Sequence, residues 1–263
     1  MITARDAKTA MRRMPLIIVA TLVACACLVA VAWASETFTV STYFTPDKLG
    51  ASTNLSAKTV FAYSNESMPA AVDNVVAYGP AGLGVEVSGA GTCEKAKLEQ
   101  EGPSGCPSDS RIGFGGGLGL VEIAKNIVKE PFTLDFFLAP KENGHLAILI
   151  YVEAENPVSV QLVLVAKEIH GSKPYGFGLS IKVPPITTFP GAPYASVETT
   201  EISLGSQKVT YYEKVHNKRK LVHVKGLVVP KKCPAGGFPF EVTVSFLDGT
   251  SGTGKHTSPC PRK

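Results

Sequence analysis

The densest cluster of chemistry-prone residues is the stretch CPSDSRIGFGGGLG, Cys106 to Gly119, with five glycines in its last seven positions. Such a run could cradle a phosphate. A dinucleotide fingerprint needs glycine at i, i+2 and i+5 between a strand and a helix. Gly113 and Gly115 fill the first two places, but Leu118 stands in the third. A P-loop needs Gly-Lys-Ser/Thr, and no lysine occurs after the glycines until Lys125. The residues beyond the glycines are strand-like rather than helical. The pattern therefore predicts a strand whose backbone needs close approach to a neighbour, where side chains would block it.

Other residue types could serve catalysis. The histidines His145, His170, His216, His223 and His256 include no HExxH spacing. His216 and His223 flank a predicted hairpin turn, so they could face each other. No GxSxG elbow and no SxxK motif occurs. Asp109 in PSDS and Asp248 in DGT read as turn residues, and Asp135 lies in a strand. Glu122, Glu153 and Glu155 are the carboxylates from which a glycosidase pair would be drawn, since such pairs need only proximity in space. The expectation is no enzyme, no cofactor and no metal site.

From Lys214 to Lys232 the chain carries Lys214, Lys218, Arg219, Lys220, Lys225, Lys231 and Lys232 with no acid among them. Lys218, Arg219 and Lys220 are the candidate contact for a polyanion such as an acidic wall polymer or lipid headgroups. The competing reading is a solvated hairpin tip whose lysines discourage edge-to-edge aggregation. Aromatic interleaving of the kind that binds single-stranded nucleic acid is absent from the cluster.

The elements that must position these groups begin with a leader. Arg5, Lys8, Arg12 and Arg13 precede an uncharged apolar run from Pro15 to Ala34. Ala32 and Ala34 supply the small residues that a signal peptidase accepts, so cleavage before Ser35 is expected. Two variants stand beside it. Uncleaved, the N-terminal hydrophobic helix is long enough to anchor the protein in a membrane. Leu22-Val23-Ala24-Cys25 also fits the pattern ahead of a lipidated cysteine. With the leader's four cations and one acid set aside, 22 cations face 21 acids. The basic balance of the whole chain therefore belongs mostly to the leader and gives no argument for a nucleic-acid partner.

Cys93, Cys106, Cys233 and Cys260 remain after residue 34. An even number in an exported chain reads as a disulfide framework. Four cysteines allow three pairings, of which nearest neighbours, Cys93–Cys106 and Cys233–Cys260, is the simplest.

The rest is strand-rich. ETFTVSTYF, HLAILIYVEA, VQLVLVAKEI and FPFEVTVSFL are dense in β-branched and aromatic residues, and turn residues punctuate them. CEKAKLEQEG, Cys93 to Gly102, is the one short helix, with Thr92 as the expected N-cap. The fold class is all-β, an antiparallel β-sandwich of Ig-like or jelly-roll-like type with one short helix. Residues 35–263 form the sandwich region, as one unit or as two split near the Pro-rich stretch 184–196.

The phrases GPAGLGVEVSGAGTCEKAKLEQEGPSGCPSDSRIGFG, YGFGLSIKVPP and KKCPAGGFPFEVTVSFLDGTSGTGKHTSPC resemble a group of exported β-rich proteins of soil actinobacteria. The resemblance covers nearly all of the chain after the leader. It implies export, a layout compatible with Cys93–Cys106 and Cys233–Cys260, and a structural reading of the glycine run. It implies no activity.

The functional expectation is an extracytoplasmic protein, secreted or anchored by residues 1–34, with a structural or interaction role. A cell-wall polymer or an envelope protein would be its partner. A carbohydrate- or polymer-binding module is the alternative, with Tyr175, Tyr194, Tyr211 and Tyr212 as stacking candidates. An envelope hydrolase is the third.

Overall fold

The strand-prone runs pair into one large antiparallel sheet. The computed structural model describes residues 37–62, 68–205, 209–216 and 218–261. The expectations for Ala32, Ala34, Ser35, Cys25 and the apolar helix fall outside those residues. Among the described residues, no helix is long and apolar enough to cross a membrane.

Fifteen strands occur among the described residues. They are β1 (Phe38–Thr45), β2 (Ser52–Phe61), β3 (Val72–Pro80), β4 (Gly84–Glu86), β5 (Arg111–Ile123), β6 (Asn126–Leu138), β7 (Ala147–Ala154) and β8 (Val160–His170). The series continues with β9 (Tyr175–Lys182), β10 (Ser196–Leu204), β11 (Thr210–Val215), β12 (Lys218–His223), β13 (Gly226–Val228), β14 (Phe238–Phe246) and β15 (Ser251–Ser258). Thirteen of them form one sheet in the order β15-β14-β3-β9-β8-β7-β6-β5-β10-β2-β13-β4, with β1 also paired to β2. Strands β11 and β12 form a separate two-stranded ribbon. The stretch 184–196 connects β9 to β10 of the same sheet, and residues 35–263 cluster as one unit. A division there into two sandwiches is therefore not what the chain adopts.

The sheet coils until its two ends meet. The Thr42 amide on β1 donates to His256 Nδ1 on β15 at 3.1 Å, and Ser258 Oγ donates to the Thr42 carbonyl at 2.6 Å. Phe38 and Val40 of β1 lie over Gly254 of β15, which has no side chain in the way. Side chains make this seam, and the strand ladder does not close into a barrel. The result is sandwich-like, with the two halves of one sheet facing each other across a common interior.

Alternation decides what faces that interior. Leu134, Phe136 and Leu138 on β6 stand opposite Val152, Ile150 and Ile148 on β7, and all six point inward. Phe137, Leu149 and Tyr151 point the other way. They are covered by the helix α1 (Lys95–Glu101), whose buried Leu98 sits with Cys93 against them. This two-sided burial explains why AILIYV reads as an unbroken apolar run. The N-cap of α1 is Glu94, with no side-chain capping bond, so Thr92 does not serve as the cap. The Cys93 amide instead donates to the Leu138 carbonyl at 2.8 Å, which fixes the helix to the end of β6.

Both nearest-neighbour disulfides are present. Cys93–Cys106 closes the loop that carries α1. Cys233–Cys260 ties the approach to β14 to the end of β15, beside the cluster of Phe44, Val229, Phe238 and Phe240.

Candidate functional site: an apolar cavity inside the sheet

The glycines of the run after Ile112 lie on β5, and their alternation explains them. Gly113, Gly115, Gly117 and Gly119 pair with Phe136, Leu134, Phe132 and Glu130 of β6, and those partners line the interior. Four successive inward positions of β5 thus carry no side chain. A Cβ at Gly113 or Gly115 would come within 2.6 Å of the carbonyl oxygen of Ser203 or Glu201 on β10. A Cβ at Gly117 would overlap the Thr199 carbonyl and crowd the Phe132 ring. Neighbouring backbone and the side chains of Phe132, Ile202 and Leu204 occupy this room. The stretch is a bare strand at which the sheet bends, and no phosphate cradle is built around it.

Away from this bare wall the interior is not filled. The inward side chains line a partly open cavity of about 390 Å³. It is lined along nearly its whole length by aliphatic and phenylalanine side chains of β2, β3, β6–β10 and β14. Lining residues on β7 run from near Leu146 to Ala154, roughly 27 Å at about 3.4 Å per residue. Many of them, including Leu134, Val152, Leu164, Leu179 and Ile202, are only partly buried despite pointing inward. Native interiors rarely leave gaps larger than a water molecule.

One end of the cavity carries a charge. Glu130, 4% exposed, accepts a hydrogen bond at Oε1 from the Val158 amide at 3.0 Å. It is the one charged side chain in the lining among the described residues. Nearby, the start of β10 holds Ser196, whose buried Oγ has no hydrogen-bond partner among the described residues. The opposite end is walled by Val85 and Val87, by Gly226 and Leu227 of β13, and by Leu204.

The remaining sequence candidates are dispersed. His223 pairs with Thr210, and His216 sits in the turn beyond the last pair, so the two histidines do not face each other. Glu122 and Glu153 lie on β5 and β7. The register puts them about six residues apart along the strands, roughly 20 Å, too far for a glycosidase pair. Gln161 donates to Glu153 at 2.8 Å, and Asp135 pairs with Arg111. Asp248 accepts bonds from the Thr250 amide and hydroxyl, as a turn residue does.

The tyrosines are also spread. The Tyr175 hydroxyl donates to Glu241 at 3.0 Å and its ring lies 6.1 Å from that of Tyr78. Tyr211 covers Gly89, Tyr194 is exposed in the loop before β10, and Tyr212 is exposed on the ribbon. They present no common platform for a sugar ring. Of the basic cluster, Lys225 pairs with Glu86 at 2.6 Å. Lys218, Arg219 and Lys220 all stand exposed on β12.

No family model, curated protein or solved structure matches the chain.

The cavity was not visible in the sequence. The spacing of Gly113, Gly115, Gly117 and Gly119, two apart on one face of a strand, marks where β10 closes in on β5 and not where the interior is empty.

Proposed function

We propose that this chain is an extracytoplasmic protein, exported or held at the membrane by its leader, whose interaction role is to hold a molecule with a linear hydrocarbon chain. The observation that carries the reading is the apolar interior. Its volume falls in the range of small-molecule sites, about 300–1,000 Å³. Its apolar lining, which runs about 27 Å along β7, suits an extended alkyl or prenyl chain. The disulfides support an oxidising compartment, and the leader and the family resemblance point the same way. The hydrolase reading loses support because register separates Glu122 from Glu153, and the sugar-binding reading because its tyrosines are dispersed.

The test uses cis-parinaric acid, a linear fluorescent polyene, with hexadecanol as competitor. The protein is Ser35–Lys263, which holds every described strand, both disulfides and all four apolar clusters. Saturable binding reversed by hexadecanol is expected. Ala57 and Ala77 line the cavity and are only partly buried. Ala57→Phe with Ala77→Phe fills the space and should weaken binding at least about tenfold, with the far-ultraviolet spectrum unchanged. No saturable binding, or equal binding by the filled variant, contradicts the reading.

A further inference from the structure

The β11–β12 ribbon stands outside the main sheet and is firmly rooted. Val209 and Val224 are buried at its base, where the Val224 amide donates to the Val209 carbonyl at 2.9 Å. Tyr211 rests on Gly89, and Lys225 just beyond the ribbon pairs with Glu86. The ribbon leads directly into β13, which walls one end of the cavity.

Cross-strand register sorts its side chains. Tyr212 stands opposite Leu221, and Lys214 opposite Arg219, so these four share one face. That face carries two cations and no acid. Tyr212 is 62% exposed and Leu221 is 50% exposed. The Arg219 guanidinium lies 4.6 Å from the centre of the Tyr212 ring. The other face carries Lys218 and the cross-strand pair Glu213 and Lys220.

Lysines alone would be explained as protection of ribbon edges. An exposed tyrosine and leucine beside them are not, because they lower solubility. Cations next to a tyrosine and an aliphatic side chain match a lipid interface. There the ring sits at headgroup level, the cations meet phosphate and the aliphatic group enters the acyl boundary.

We infer that the β11–β12 ribbon docks the protein onto an anionic bilayer surface through Tyr212, Leu221, Lys214 and Arg219. The inference goes beyond the cavity reading and does not depend on it. A soluble polyanion would use the cations and ignore the apolar pair.

The test is co-sedimentation of Ser35–Lys263 with vesicles of phosphatidylcholine, with and without 30% phosphatidylglycerol. Binding to the anionic vesicles is expected, falling with added salt, with little binding to pure phosphatidylcholine. Each cation is worth roughly fivefold near such a surface. Lys214→Ser with Arg219→Ser should therefore weaken binding by about tenfold or more. Tyr212→Ser with Leu221→Ser should weaken it comparably while leaving the salt dependence unchanged. All four positions are exposed, so the variants keep the fold, and unchanged circular dichroism verifies it. Equal binding to both vesicle types overturns the inference, as does native-like binding by either pair of variants. Binding to soluble polyphosphate that matches vesicle binding and ignores Tyr212 and Leu221 replaces the bilayer with a polyanion. The cavity-filled Ala57→Phe, Ala77→Phe protein should still bind vesicles, so failure here and failure of the cavity reading are distinguishable.

Discussion

Gly117 shows how much one missing side chain can decide. Its inward position lies under the Thr199 carbonyl and the Phe132 ring, so a methyl group there must displace backbone. Gly117→Ala should cost about 3 kcal/mol or more in denaturant unfolding. At Gly119 the added methyl would meet its nearest atoms at 3.5 Å, an ordinary contact, so Gly119→Ala should cost well under half as much. Comparable losses at both sites would mean that the glycines serve general strand flexibility, not close approach. Tyr175 gives a residue-scale prediction in pH. Burial raises its phenol above the ordinary tyrosine range, and the bond to Glu241 and the charge of Glu241 add to this against the opposing Lys255. A raised native value means that the stabilisation is complete below the unfolded tyrosine range, about pH 10, and is lost as pH rises through the native value. Tyr151 is raised as well, by burial first and then by Glu153 and Asp135. A spectrophotometric titration at 295 nm should therefore show two late phenols, and Tyr175→Phe should remove one. Unchanged late absorbance in that variant would refute the assignment.

At the scale of elements, the helix α1 depends on its disulfide. Only Leu98 of the helix is buried, so a seven-residue helix has little else to hold it. Closing the loop between Cys93 and Cys106 is worth about 3 kcal/mol on the chain-entropy estimate. Cys93→Ser with Cys106→Ser should lower the unfolding midpoint accordingly. It should also expose Phe137, Leu149 and Tyr151, read as faster hydrogen exchange across β6 to β8. Normal protection there would show that the helix docks unaided. Much at this scale could be read from the sequence. Branched and aromatic density located β1, β7, β8 and β14, and nearest-neighbour cysteines gave the disulfides. The glycine run reads as a closely approached strand, and β5 passes through it from Arg111 to Ile123. Thr92 looked like a cap by residue type, but the chain there is fixed by the Cys93 amide on β6, a contact distant in sequence. Glu122 and Glu153 looked like partners only until register separated them.

At the scale of the whole molecule, the cavity is a property of the coiled sheet and of no single segment. Alternation announces which residues face inward, yet it cannot tell whether the opposing walls meet. That depends on how far the sheet curls before β1 reaches β15, and on the seam that Thr42, His256 and Ser258 hold. A sequence reading that ended at a sandwich therefore had the right layers and missed the space between them. Leu134, Val152 and Ile202 pack beside Phe136 and Ile150, yet they line the cavity and stay only partly buried. The central claim is that an elongated apolar ligand completes this interior. The most direct measurement is the native mass of the protein recovered from an exporting host, before and after organic extraction. A mass excess of one lipid-like molecule, lost on extraction and absent from the Ala57→Phe, Ala77→Phe variant, is the predicted result. A mass equal to the polypeptide with two disulfides, unchanged when hexadecanol or cis-parinaric acid is added, would contradict it.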